Sequence, residues 1–342
     1  MKTSFSPVFL DIMDRAENGE LLNKEDLIHL LDYHEISPEA DSIRSAANQI
    51  ARKRFQNRGV ILGQIGYETV PCPGNCQFCS FAKDYTAFAE HHPAPSDIAE
   101  LAKTFLRHKS LFALFLMGMH HFNFEKLLRI IDAIKPIFPD TVKLVVNIGD
   151  FTRSQAEELR AAGVSGAYHV LRLREGSDTD LDPAARLNTI KDLREAGLEW
   201  YYCCEPIGPE HSSEELADQI LIGREFEAFQ HAAMRRVMLP NSPLAGKGII
   251  SEWRLAQIVA AVVLGMNGNR ALRSIAVHEP NSLGLCSGAN AVYAETGANP
   301  RDLIEQTQKS RGLSVHDCEN MLWECGFTAV NNGCFHPVPL TM

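Results

Sequence analysis

The sequence predicts an α/β fold: a (β/α)8 barrel of the TIM type with an N-terminal helical extension and a C-terminal helical tail. Three observations carry this. Strand-like and helical stretches alternate about eight times over roughly 240 residues. The connections are short, which with alternating order means right-handed crossovers and a parallel sheet. The Gly-x-Gly-x-x-Gly turn that marks a doubly wound nucleotide-binding sheet, the competing architecture, is absent.

Each element has its own signal. Residues 7–57 read as helices: Asn23 is a natural N-cap, Leu27, Leu30 and Leu31 keep helical spacing, and Ser37-Pro38 punctuates two helices. From residue 58 the period changes repeatedly. Strands are predicted at 60–70, 114–117, 142–147, 167–173, 198–204, 234–239, 273–277 and 291–295. Helices are predicted at 96–108 (capped by Ser96), 124–137, 152–162, 183–196, 212–229 and 251–265. The 152–162 helix opens on Thr152-x-x-Gln155 and stops at Gly163, a capping box and a glycine stop. The resulting organisation is a helical extension (1–57), a barrel core (58–280), and a C-terminal region (281–342) that completes the barrel and adds a tail.

Composition narrows the class. With 45% hydrophobic and 22% charged residues among 342, the chain has ample apolar surface to offset chain entropy. Lys+Arg is 33 against 43 Asp+Glu, a net charge of −10, so no broad nucleic-acid or anionic-membrane surface is expected. No run approaches the ~18–20 apolar residues of a membrane span. The N-terminal stretch has early acidic residues and no long apolar run, which is unlike a secretory signal and predicts a cytoplasmic protein. Nine cysteines, an odd number, then favour metal or redox chemistry over a disulfide framework.

Three of the nine form Cys72-x3-Cys76-x2-Cys79 in a Pro/Gly-rich loop straight after the first strand. A closed structural zinc site needs four ligands, for which His91 or His92 is the available addition. A four-iron cluster held by three thiolates keeps one iron open to a ligand.

Cys-x3-Cys-x2-Cys with an aromatic, Phe78, before the last cysteine resembles the radical S-adenosylmethionine superfamily. The resemblance implies that Cys72, Cys76 and Cys79 hold a 4Fe–4S cluster whose open iron chelates the amino and carboxylate groups of S-adenosylmethionine. It implies reduction by an electron donor such as flavodoxin or ferredoxin, and a 5′-deoxyadenosyl radical that takes hydrogen from a small-molecule substrate. Phe78 is expected near the adenine.

Further segments resemble the biotin synthase-like branch, which includes an iron-only hydrogenase maturase, methylornithine synthase and tyrosine lyase. These are residues 167–176, residues 197–216, and residues 284–302 with Gly288-Ala289-Asn290 before a strand. By this resemblance Glu175 accepts hydrogen bonds from the ribose, and the backbone at Gly118 meets the methionine amino group. Asn147, ending the third strand, joins them as a cofactor-side residue. Glu205, His278 and Glu279, at strand ends, are candidate catalytic residues. Tyr67, Glu68, His120, His121 and His211 stand near the same mouth.

Departures from biotin synthase are visible. That enzyme's second cluster takes cysteines on the second, third and fifth strands and a late arginine, and here only the fifth-strand position carries sulfur, in Cys203-Cys204. An auxiliary cluster would have to draw on Cys203, Cys204 and Cys286; the competing reading is that these pack as small hydrophobes. Adjacent strand residues face opposite ways, so only one of Cys203 and Cys204 can enter the barrel. Two chemistries stay open: rearrangement or maturation with one cluster, and sulfur insertion with an auxiliary cluster. A non-catalytic zinc or iron–sulfur protein is the remaining alternative. The basic stretch 52–58 is a candidate docking patch for an acidic electron donor.

Overall fold

A computed structural model describes residues 5–295 and 313–341. Three helices come first: α1 (Pro7–Glu17), α2 (Lys24–Leu31) and α3 (Pro38–Arg54). The Asn23 cap is realised as a capping box with Asp26, and Ser6 and Ser37 cap the other two in front of prolines at the first helical position.

The barrel strands are β1 (Arg58–Gly66), β2 (Leu111–Met117), β3 (Lys143–Asn147), β4 (Gly166–Tyr168), β5 (Glu199–Tyr201), β6 (Cys204–Ile207), β7 (Gln230–Arg235), β8 (Ser274–His278) and β9 (Ala291–Ala294). Each pairs in parallel with the next around the ring, β5 and β6 acting as one interrupted strand against β7, and β9 returns to β1 through Val60–Gly63. This is the closed eight-stranded parallel barrel that the alternation predicts. Around it lie α4 (Pro95–Leu106), α5 (Phe124–Ile134), α6 (Arg153–Ala162), α7 (Pro183–Glu195), α8 (Ser213–Glu225), α9 (Glu252–Gly265) and the short α10 (Ser282–Leu285). In the tail, α11 (Val315–Glu324) leads to β10 (Ala329–Asn331) and β11 (Pro337–Pro339); β10 extends the sheet beside the first residues of β1.

Strand ends differ from expectation for physical reasons. β4 stops at Tyr168 because the next residues turn, burying His169 against Asp150 and bringing Arg172 to the cavity. β7 starts at Gln230, four residues before its predicted start, since its first four residues are Gln-His-Ala-Ala: buried Gln230 bonds Ser274 and Tyr293, so a polar pair sits where an apolar run is the usual signal. Ser96 is not the α4 cap. Pro95 opens the helix, and the Asp97 carboxylate accepts the Ala94 N–H at 3.0 Å. The box at Thr152 and Gln155 forms as expected, and Gly163 closes α6 with φ +105°, a conformation glycine adopts at least cost.

The barrel interior is aromatic. Phe115 touches Tyr168, Tyr201 and Tyr293 with ring centroids 6.4, 5.3 and 5.8 Å away. Edge contacts of this kind contribute about 0.5–1.5 kcal/mol each beyond burial. At the N-terminal end of the barrel Phe335 from the tail packs on Phe112 and Phe229. The open end is thus the carboxyl end of the strands, where barrel chemistry is found. Among the described residues no helix is long and apolar enough to cross a membrane.

Candidate active site

The loop after β1 is folded tightly on itself. Cys72 donates its N–H to Phe81 O and accepts from Lys83 N, and Cys79 N bonds Cys76 O. Asn75, at φ +43°, bridges Asp84 and Asp180 at 2.8 and 2.9 Å, which ties this loop to the one after β4. All three thiols of the triplet line one cavity of about 240 Å³. Burial pushes the Cys76 thiol up to about 12; nearby Arg172 opposes that shift, and Cys79 and Cys72 add to it. The Phe81 N–H points at Cys79 Sγ from 3.4 Å, a donor suited to a thiolate.

This donor set fits a cluster: three soft thiols from one loop, a backbone N–H on one sulfur and a guanidinium beside another. Among the described residues no three His, Cys, Asp or Glu side chains are closed around one metal ion. A polynuclear cluster takes its thiolates at separate corners and does not need that closure. His91 and His92 are exposed and do not line the cavity; His91 pairs its backbone with Thr69, and His92 lies 3.2 Å from Glu90.

The other walls are strand ends: Gln64, Met117, Asn147, Tyr168, Glu205, Met234, His278, Tyr293 and Glu295 all line the same space. Phe78 and Gly118 do too. Buried Glu205 accepts the Tyr168 hydroxyl and stands 3.4 Å from Arg172 Nε. Burial, then the neighbouring Cys203 and Glu205, keeps the Tyr168 phenol protonated well beyond its usual range. Burial disfavours the Arg172 charge, but Glu175, Glu205 and Cys76 outweigh it and hold the guanidinium ionised. His278 Nε2 is 3.1 Å from Glu295, and Tyr293 stands edge-on to its ring at 4.9 Å.

Several expected residues sit elsewhere. Glu175 does not line the cavity. One carboxylate oxygen caps Arg172 N at 2.9 Å and the other accepts Thr179 Oγ1 at 2.9 Å, so it organises its own loop behind the wall. Glu279 also lies off the cavity and pairs with Arg235 at 3.5 Å. His211 accepts the Gly208 N–H, fixing the loop after β6. Glu68 lines the cavity and is paired with Lys126 at 3.0 Å. Tyr67 is buried beneath Gly118.

Cys203, Cys204 and Cys286 do not converge. Cys203 enters the cavity and Cys204 faces the other way, as strand alternation requires, while Cys286 is exposed at the end of α10, within reach of Cys325. The basic stretch is not a free patch either. Arg52 stacks on Phe327 at 3.7 Å and bonds Cys325 O, and Arg54 bonds the carbonyls of Met266 and Asn269.

Sequence reasoning missed Arg172, Arg186 and Asp150. Arg186 is almost wholly buried in α7 and reaches the cavity; it bonds Asp150 at 2.9 Å and Val170 O at 3.2 Å. Its only sequence signal is an arginine among apolar residues on the inward face of a helix, which is unusual unless paired.

No family model matches the chain. It is 24% identical to a biotin synthase of Acetivibrio thermocellus over 213 residues, which is 57% of this chain; the match spans less than two thirds of that relative, 62%. In fold it is similar to HydG, a maturase of the FeFe-hydrogenase (TM-score 0.79, 14% identity, 96% of this chain and 77% of that one). It is also similar to methylornithine synthase, PylB (TM-score 0.78, 16% identity, 92% and 96%). At these identities the two structures show a shared fold. The chain thus resembles a biotin synthase in sequence and HydG and methylornithine synthase in fold, the biotin synthase-like branch of the radical S-adenosylmethionine superfamily to which its cysteine triplet points.

Proposed function

We propose that the chain is a radical S-adenosylmethionine enzyme acting on a small molecule in cofactor or amino-acid biosynthesis, by rearrangement or maturation chemistry. The observation that carries this is the sharing of one cavity by the triplet thiols and the carboxyl ends of the barrel strands. When bound, a 4Fe–4S cluster with S-adenosylmethionine supplies a radical able to take hydrogen from a carbon that no acid or base can ionise.

The chain's own residues do the rest. Cys72, Cys76 and Cys79 hold the cluster, and Phe78, Gly118 and Asn147 border the space beside it. Arg172 and Arg186 face a carboxylate there. Tyr168 and Glu205 fix the orientation of Arg172. The floor of Phe115, Tyr168 and Tyr293 keeps water from the inner end. Glu205 and His278 border the substrate side. The electron comes from an external donor of the flavodoxin or ferredoxin kind.

Anaerobic reconstitution with iron and sulfide tests this. The expected product is a brown protein with about four iron and four sulfide per chain, absent from Cys76→Ala. A colourless zinc-loaded protein overturns the reading, and a count near eight moves it to sulfur insertion with an auxiliary cluster.

A further inference from the structure

Two arginines reach the cavity wall side by side, and like charges so placed repel. Arg186 donates through Nη1 to Asp150 and through Nε to Val170 O, while its Nη2 has no partner among the described residues. Its other carboxylate neighbour, Glu175, is 3.7 Å away and already accepts from Arg172 N and Thr179. Among the described residues Asp150 is therefore the one carboxylate in hydrogen-bonding contact with this buried cation.

Asp150 gathers more than one partner. It sits in the loop after β3, three residues past Asn147. Its Oδ1 also lies 3.1 Å from His169 Nε2 and 3.4 Å from Thr189 Oγ1, one helical turn past Arg186; His120 Nε2 is 3.8 Å from Oδ2. One side chain thus joins the β3 loop, the end of β4 and α7 behind the cavity wall. Burial works against its charge, but His169 and Arg186 outweigh that and hold the carboxyl well below the usual range. Burial, then Arg186, drives His169 down to about 3, so it stays neutral beside the pair.

We propose that Asp150 is the positioning residue for Arg186, holding its guanidinium against the cavity wall so that Nη2 meets a carboxylate of the bound ligand. The identity of that ligand rests on the function proposed above; the positioning rests on the contacts of Arg186 alone. A planar fork gives directional recognition only when its far side is fixed.

The test is equilibrium binding of S-adenosylmethionine to the full, anaerobically reconstituted protein, read from the perturbed spin signal of the reduced cluster. Asp150→Asn should weaken binding ~tenfold or more while cluster absorbance is unchanged. Asp150→Glu should recover part of the loss, because it keeps the charge and moves it by one methylene. Arg186→Gln should cost at least as much, and the double variant Asp150→Asn/Arg186→Gln should bind no worse than Arg186→Gln alone. Should Asp150→Asn fail to fold, Asp150→Glu carries the test, with severalfold weaker binding at an unshifted thermal midpoint. Unchanged affinity in a folded Asp150 variant, or fully additive losses in the double, overturns this inference alone. No binding by the wild-type chain overturns the proposed function and this inference with it.

Discussion

Tyr168 donates its hydroxyl to one oxygen of the Glu205 carboxylate, and the other oxygen stands 3.4 Å from Arg172 Nε. Glu205 therefore serves a phenol and a cation from one buried position. Glu205→Gln keeps an acceptor for the phenol and removes the charge opposite Arg172, whose remaining carboxylate, Glu175, is 3.8 Å away. The expected cost is about 3 kcal/mol, against ~1 kcal/mol for Tyr168→Phe. Urea denaturation of the two variants should keep that order.

Gly118 has no room for a side chain. A Cβ there would collide with the hydroxyl of Tyr67 and lie 2.8 Å from its Cε1. Tyr67 is fully buried, so it cannot swing away. Gly118→Ala should cost ~1–3 kcal/mol and distort the wall beside the triplet. Among the described residues the Tyr67 hydroxyl itself is buried without a hydrogen-bond partner. Tyr67→Phe should therefore be within ~0.5 kcal/mol of wild type or more stable, since it removes an unpaired polar group. Thermal midpoints of both variants check this pair of signs.

Buried His231 gives a pH dependence. Burial lowers its pKa from 6.5 to about 4, against the pull of the carbonyl oxygens of Ala232 and Gln219, which favour the protonated ring. The folded chain keeps it neutral while the unfolded chain takes up a proton below pH 6.5. Its contribution is thus complete above pH 6.5, falls as the pH drops, and levels off near pH 4, a total of about 3 kcal/mol. His231→Gln should flatten the difference in urea midpoint between those limits by that amount. An unchanged slope would place the acid sensitivity in the other buried histidines.

The scattered cysteines predict a single-cluster protein. Cys286→Ser, at an exposed site, should shift stability by no more than ~0.5 kcal/mol. Cys204→Ala, inside the core, should cost ~1–2 kcal/mol. Neither variant, nor Cys203→Ala, should lower the iron content of the reconstituted protein. A loss of iron in Cys203→Ala would show that this thiol is a ligand.

The barrel was legible because its period is local: strands and helices alternate, and Asn23, Thr152 and Gly163 announce element ends within a few residues. The triplet was legible for the same reason, as three thiols within eight residues of one loop. Arg186, Asp150 and Glu295 were not. Their meaning comes from partners 36, 36 and 17 residues away, which only the closed barrel brings together. Glu175 shows the converse. Its position after β4 fits a ligand contact, yet short-range bonds to Arg172 N and Thr179 occupy both of its oxygens. Cys286 is similar: it lies shortly before β9 in sequence, yet the end of α10 carries its thiol to the outside.

The most direct measurement is the product of anaerobic reduction with S-adenosylmethionine, using protein whose cluster is fully loaded. The account predicts 5′-deoxyadenosine and methionine in equal amounts from the wild-type chain, and neither from Cys76→Ala. A loaded, reduced wild-type protein that leaves S-adenosylmethionine intact would contradict it.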